Sequence, residues 1–204
     1  MKRMIAVSML IIWILALFTG CPWQKETVEY GFAREVSQEE QALRMSVVEA
    51  AQEYLSCKES DGSFKPIIDL YNSQEPLPRN YEVQYTDQWC AAFGSAVAIR
   101  CELTHLIPTE CGCQKQIELF ASLDAWEEED AYIPLPGDYI FYHTECSGDG
   151  DCTHWSNHVG IVVGVDADTI KVIEGNYNRA VGYRYIPIDH ASIRGFGLPD
   201  YGNA

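Results

Sequence analysis

The chain has 204 residues, of which 47% are hydrophobic and 12% aromatic, and this composition fits one domain with a packed core and excludes a disordered protein. The formal net charge of −16 comes from 30 acidic and 14 basic residues. No run of Lys or Arg interrupts the acidic character, so we expect no nucleic-acid partner.

The N-terminus has the pattern of a targeting segment, residues 1–21. Two basic residues precede an apolar run of 15 residues (4–18), which is shorter than the ~20 that span a bilayer, and small residues follow it. The stretch FTGC (18–21) resembles a bacterial lipobox, which implies lipidation of Cys21, although Phe18 replaces the usual Leu. A lipoprotein, a secreted protein and an uncleaved membrane anchor stay open, and each places the domain outside the cytoplasm, in the bacterial cell envelope.

A polar tether, residues 22–42, is expected to connect this segment to a single domain, residues 43–201. Apolar residues at helical spacing, a possible capping start at SQEE and breaks at Gly and Pro indicate a helical first half of that domain. We predict helices over 41–57, 65–73 and 114–123, and another that begins just after residue 86 or 87.

The helix that begins near residue 87 carries a cysteine close to its start. Apolar side chains recur every four positions from Trp89 to Val97, which places them on one helical face. Thr86 or Asp87 is the expected N-cap, so Cys90 would lie in the first turn.

The pattern changes to strands after Gly137. Short β-branched and aromatic stretches are separated by Gly, Asn and Asp, which is typical of an antiparallel sheet. Helices first and strands second predict an α+β domain. The predicted strands cover 138–143, 158–165, 169–175, 181–188 and 193–198.

The chain has eight cysteines, and lipidation of Cys21 would leave seven. In an oxidising compartment an odd number suggests that one thiol is kept free. Cys146 and Cys152 bracket a tight loop and are candidates for one disulfide. Cys57 and Cys101 each end a predicted helix and are candidates for a second.

A structural metal is the alternative use of these residues, because two sets combine sulfur and imidazole ligands. Neither set has the paired C-x₂-C spacing of common zinc folds, so we expect no metal and no cofactor. The two sets are Cys101, His105, Cys111 and Cys113, and His143, Cys146, Cys152 and His154.

Cys90 has the position of an activated thiol. A thiol attacks as the thiolate, and both a helix N-terminus and a neighbouring imidazolium lower its pKa. Among the histidines, His158 alone begins a strong strand, so it is the expected base. The backbone N–H of Cys90 is the expected oxyanion donor, with Gln88 or Tyr85 as a second.

The strand of His158 forms a predicted hairpin with the following strand. If residues 166–168 make a three-residue loop, His158 lies opposite Asn176, and the neighbouring pair is Gly160 and Glu174. The three polar side chains then share one face, where Glu174 or Asn176 can bind the second imidazole nitrogen. A two-residue loop would invert one strand and break this geometry. Glycines 160 and 164 would leave room on that face for the Cys90 helix.

Four segments in this order resemble the CHAP family, the cysteine, histidine-dependent amidohydrolases/peptidases. The resemblance covers about Val47 to Tyr201 and implies a papain-like fold with N-terminal helices packed on a small antiparallel sheet. The segments are WCAAF (89–93), PGDYIFY (136–142), NHVGIVVGV (157–165) and IEGN (173–176).

The resemblance also implies an activity. Cys90 is then the nucleophile, His158 the base and Glu174 the third member, with Asn176 assisting. The expected substrate is bacterial peptidoglycan, cut by an amidase between muramic acid and L-Ala or by an endopeptidase within the peptides. We expect a monomer. A non-catalytic wall-binding lipoprotein and a thiol-redox or metal-binding protein are the alternatives.

Overall fold

The computed structural model of the protein describes residues 32–129, 132–146, 152–153 and 155–204. The predicted signal with Cys21, residues 22–31 of the tether, and His154 lie outside these ranges. No helix within them is long and apolar enough to cross a membrane.

Four α-helices fill the first half of the described chain. The capping start is confirmed, since the side chain of Ser37 accepts a hydrogen bond from the backbone N–H of Glu40 at 3.0 Å. The first helix therefore begins inside the predicted tether and ends before residue 57. The helices are α1 (Gln38–Gln52), α2 (Lys65–Asn72), α3 (Cys90–Arg100) and α4 (Cys113–Ser122).

The start of α3 differs from the prediction. Trp89 is the N-cap and Cys90 the first helical residue, so neither Thr86 nor Asp87 caps the helix. The Asp87 carboxylate instead accepts the backbone N–H of Gln84 at 2.8 Å and closes the turn before the helix. Cys90 is thus closer to the helix end than expected.

The second half forms a six-stranded antiparallel sheet in the order β1-β6-β2-β3-β4-β5, which confirms the α+β class. Five strands lie where the alternation predicts them, and a two-residue edge strand was not predicted. The strands are β1 (Trp126–Glu127), β2 (Tyr139–Tyr142), β3 (His158–Asp166), β4 (Thr169–Tyr177), β5 (Ala180–Pro187) and β6 (Ile193–Gly197).

The two faces of the sheet have separate apolar layers. The helices pack on the face that carries Val159, Ile161 and Ile173, and α3 packs directly on the sheet at Gly175. A Cβ atom at Gly175 would lie 2.3 Å from the Cβ of Phe93, so this contact requires glycine.

Gly160, one of the two glycines expected to face α3, does not face it. Gly160 lies on the opposite face, where a Cβ would meet the side chains of Val172 and Glu174 at 2.5 and 2.8 Å. That face has its own buried layer, which includes Ile140 and Val162. The prediction that Gly160 makes room for α3 is therefore wrong.

The turn between β3 and β4 is shorter than predicted. Asp166 pairs with Thr169, so the loop has two residues, Ala167 and Asp168, and Ala167 adopts a positive φ of 52°. The expected three-residue loop over 166–168 is wrong.

A β-bulge in β3 nevertheless restores the predicted alignment. The register shifts by one residue between Val162 and Gly164, and beyond the shift Ile161 pairs with Ile173. Continuing that register places His158 and Glu174 on the same face, as the site requires.

A buried ion pair ties α1 to the start of β2. The Arg44 guanidinium donates to the Asp138 carboxylate at 2.8 Å, and the Tyr132 hydroxyl and Leu135 N–H donate to its other oxygen at 2.7 and 2.8 Å. The backbone carbonyl of Asp138 accepts the N–H of Val162 at 2.8 Å. Asp138 thereby holds the β2–β3 pair against α1.

Candidate active site

The thiol of Cys90 lies at the N-terminus of α3. The first intrahelical bond of this end is donated by Phe93 to Trp89 at 2.9 Å, so the N–H groups before it have no partner inside the helix. Their dipoles point toward the thiol and favour an anion there. Cys90 is only 4% exposed, which shields that anion from bulk water.

His158 and Glu174 form the second part of the site. The imidazole Nε2 lies 2.9 Å from Oε2 of Glu174, which is completely buried. His158 also interacts with the Cys90 thiol, and each of the two groups shifts the pKa of the other toward its charged form. Since Glu174 occupies Nε2, the other ring nitrogen serves the thiol, and the carboxylate fixes the ring's tautomer and orientation.

Arg184 on β5 is a further member that sequence reasoning missed. Its guanidinium grips both oxygens of Glu174, with Nε to Oε1 at 2.6 Å and Nη2 to Oε2 at 3.1 Å. The rings of Tyr142 and Tyr177 lie 5.3 and 4.7 Å from this guanidinium. Tyr142 also stacks on His158 at 6.1 Å between ring centres. Arg184 thus fixes the position of the Glu174 carboxylate, which in turn binds the His158 imidazole.

A second thiol, also missed, lies against the nucleophile. Cys113 is the first residue of α4, it is buried, and its Sγ lies 3.6 Å from Sγ of Cys90. The pKa values of the two thiols move in opposite directions, so Cys113 keeps its proton and donates it to the Cys90 sulfur.

The electrostatics favour a thiolate–imidazolium pair. The hydrogen bond from Cys113 lowers the pKa of Cys90, burial opposes this, and His158 lowers it further, so the pKa falls well below its ordinary value. Burial alone would lower the pKa of His158, but hydrogen bonds with Cys90 and Glu174 outweigh it and raise the pKa to about 10. Burial would raise the pKa of Glu174, but His158 and Arg184 together lower it.

These directions predict the pH profile of thiol labelling. Iodoacetamide is expected to label Cys90 at pH values well below 9.0, the ordinary thiol pKa, and labelling stops only as pH falls through the depressed pKa. Cys57 is the internal control, because burial and Asp61 raise its pKa, so its labelling begins on the alkaline side. Peptide mass spectrometry reads both sites in one sample, and identical profiles for the two thiols would contradict the ion pair.

Two further predicted assignments are corrected by their hydrogen bonds. Asn176 donates its side-chain amide to Oε1 of Gln88 at 2.7 Å, and Glu174 occupies the imidazole nitrogen that it was expected to share. The Tyr85 hydroxyl donates to Asp69 at 2.6 Å, so its proton is not aimed at an oxyanion. Gln88 stays a predicted second donor beside the backbone N–H of Cys90.

The predicted Cys57–Cys101 disulfide is absent from the described part of the chain. The Cys57 thiol is free, and the Cys101 thiol donates to the carbonyl of Ser46 at 3.7 Å. All seven described cysteines are free: Cys57, Cys90, Cys101, Cys111, Cys113, Cys146 and Cys152.

The other predicted disulfide, between Cys146 and Cys152, concerns two thiols that are free but interact with each other. Burial and the neighbouring Cys152 thiol raise the pKa of Cys146 to about 11. The loop between them, residues 147–151, lies outside the described ranges. A bridge between these two thiols stays a prediction.

The metal alternative gains no support from geometry. Within residues 32–129, 132–146, 152–153 and 155–204, no group of three or more His, Cys, Asp or Glu side chains is arranged to hold an ion. In the first predicted set, Cys111 accepts a hydrogen bond from Arg79 at 3.1 Å. The second set includes His154, which is not described.

The arrangement supplies what acyl transfer requires. Acyl transfer uses a thiolate, a proton carrier that is held in orientation, and N–H groups that face developing negative charge, and Cys90, His158 with Glu174 and the start of α3 have the chemistry of these three parts. No protein-family model, curated protein or solved structure matches the chain. A function for this chain therefore has to be inferred from the chemistry of the site.

Proposed function

We propose that this protein is a papain-like cysteine hydrolase of the CHAP type that cleaves amide bonds of bacterial peptidoglycan in the cell envelope. The observation that carries the proposal is the contact chain from the Cys90 thiol to His158 to Glu174, at the start of a buried helix. A satisfied structural cysteine needs no such chain, whereas an activated thiol does.

The reaction follows from the positions of these groups. The Cys90 thiolate attacks the amide carbon, and the N–H groups at the start of α3 stabilise the resulting oxyanion. The His158 imidazolium protonates the departing amine, which leaves a thioester on Cys90. Neutral His158 then takes a proton from water, whose oxygen attacks the thioester and releases the carboxylate product.

The fold supports the papain-like part of the proposal. The nucleophile comes from the N-terminus of α3, which packs on the sheet at Gly175, and the histidine comes from the first residue of β3. Residues of three resembling segments, at Cys90, His158 and Glu174, meet in one site. Segments that match only by chance have no reason to converge.

The substrate class rests on the resemblance to CHAP domains and on the N-terminal segment. A secretory signal or a lipid on Cys21 would place the enzyme outside the cytoplasm, where peptidoglycan is found. The acidic surface, with a net charge of −16, suits a carbohydrate–peptide polymer better than a nucleic acid. We propose a monomer as the acting species.

Digestion of purified peptidoglycan tests the function directly. The full-length chain is expected to release soluble fragments whose masses show a new amine and a new carboxylate at the cut amide bond. A new amine on the first L-Ala identifies an amidase, and a cut further along the peptide identifies an endopeptidase. Release no faster than in buffer, with no new amine, would refute the hydrolase.

A further inference from the structure

The Cys90 thiol has a buried thiol neighbour that hydrolysis does not require. Sγ of Cys113 lies 3.6 Å from Sγ of Cys90, whereas a disulfide needs the sulfurs at about 2 Å. The remaining approach of roughly 1.5 Å is small compared with the swing of a sulfur atom in a rotamer change. Cys90 lies at the N-terminus of α3, where the backbone favours the thiolate that attacks a peroxide, and Cys113 is the first residue of α4.

The segment before Cys113 is anchored to the helix that carries Cys90. The hydroxyl of Ser95 on α3 donates to the carbonyl of Glu110 and accepts its N–H, both at 2.8 Å. The buried Glu110 carboxylate then accepts the N–H groups of Cys111 and Gly112 at 2.7 and 3.2 Å. The spacing of the two sulfurs is therefore set by a hydrogen-bonded connection.

The neighbouring Cys111 has a different partner. Its sulfur accepts a hydrogen bond from Arg79 at 3.1 Å, and the same guanidinium pairs with Glu110 at 2.8 Å. Cys113 therefore contacts the Cys90 sulfur, whereas Cys111, two residues earlier in the loop before α4, contacts Arg79. Cys111 is a natural control for any effect of Cys113.

We propose that Cys90 and Cys113 form a redox pair, in which a hydroperoxide oxidises Cys90 and Cys113 then closes a reversible disulfide. The pair is a modification site in its own right, and only its effect on hydrolysis rests on the proposed function. With its sulfur in a disulfide, Cys90 cannot attack an amide.

The oxidation balances with hydrogen peroxide as the oxidant. The Cys90 thiolate attacks one peroxide oxygen, the O–O bond breaks, and hydroxide leaves and takes a proton from His158, which gives a sulfenic acid and water. The Cys113 sulfur attacks the Cys90 sulfur, the S–O bond breaks, and the hydroxide leaves with the Cys113 proton as water. Two thiols lose two electrons and two protons, and the peroxide becomes two water molecules. A dithiol reductant reverses the change by thiol–disulfide exchange.

Peroxide treatment of the full-length chain, followed by alkylation and non-reducing peptide mass spectrometry, tests the pair without any substrate. The expected product is a Cys90–Cys113 cross-linked peptide that lacks two hydrogens and disappears with dithiothreitol. Cys111→Ser is expected to form the same cross-link. In Cys113→Ser, Cys90 has no resolving thiol and is expected to proceed to the sulfinic acid, which dithiothreitol does not reverse.

The activity assay adds a second readout, with each variant compared with its own untreated sample. Hydrolysis is expected to return after dithiothreitol in the wild type and in Cys111→Ser, but not in Cys113→Ser. Sulfinic acid on Cys90 at the same rate in the wild type and Cys113→Ser, with no cross-link, would overturn the proposal. A cross-link in a chain that digests no peptidoglycan would refute the hydrolase and leave the redox pair standing.

Discussion

Replacing Cys90 with alanine is expected to reduce peptidoglycan hydrolysis by about 10⁶-fold, to the level of the buffer, because no other group can form the thioester. Alanine is a good helix former and fits the first turn of α3, so the fold is expected to survive. The measurement is the release of soluble fragments, accompanied by thermal unfolding of the same sample.

Cys111→Ala is the matched control for this variant. It removes a cysteine from the loop before α4 that contacts Arg79 and not the nucleophile. Its fragment release is expected to stay within a few-fold of the wild type. If Cys90→Ala, with an unchanged unfolding temperature, still releases fragments at the wild-type rate, Cys90 is not the nucleophile.

The second large effect is expected from Glu174→Gln. Glutamine keeps an oxygen for His158 but removes the charge that balances both the imidazolium and the Arg184 guanidinium. Hydrolysis is expected to fall roughly 10²- to 10⁴-fold, since the proton transfers by His158 lose their support. The free energy of unfolding is expected to fall by about 3 kcal/mol, the low end for a broken buried ion pair. The low end applies because the Arg184 side chain is 27% exposed.

The double variant Glu174→Gln/Arg184→Met separates catalysis from folding. Removing both charges leaves no uncompensated guanidinium, so much of the lost stability is expected to return, while hydrolysis stays low because His158 still lacks its carboxylate. Urea unfolding gives the stability and fragment release gives the rate. Recovery of hydrolysis together with stability would show that Glu174 acts only through the fold.

Local patterns predicted most of the elements. The four-residue spacing from Trp89 to Val97 identifies α3, and alternating β-branched residues identify β3 and β4, because burial of one face imposes these periods. Cys90, His158 and Glu174 were predicted from the same patterns together with the family resemblance. Their contact depends on tertiary packing, which the sequence expresses only through the register of the hairpin.

The register is the part that local patterns do not determine. In the β4–β5 hairpin, Tyr177 pairs with Ala180, and an unbroken count from that pair would place Arg184 opposite Ile173, on the helix-facing side. A bulge between Glu174 and Tyr177 shifts the pairing by one residue and brings Arg184 to the face of Glu174. The bulge in β3 was not predicted either. It offset the error in the predicted length of the β3–β4 loop, so that the predicted pairing of Ile161 with Ile173 is found in the structure.

The contact between Cys113 and Cys90 is a second feature that the sequence did not predict. Nothing in ECGC distinguishes the thiol that contacts Cys90 from the thiol that contacts Arg79, because the path of the chain into α4 depends on Ser95 and Glu110. A loop held by hydrogen bonds to its own backbone carries little periodic signal.

The dependence of Cys90 on distant parts of the chain has a consequence for biosynthesis. Its reactivity comes from Cys113 in the next helix and from His158, which lies far downstream and is oriented by Glu174. A nascent chain that has not yet completed the β3–β4 hairpin carries an ordinary, mostly protonated thiol at this position. The low pKa of Cys90 therefore arises only in the last stages of folding, and an unfolded copy of the chain carries an ordinary thiol at this position.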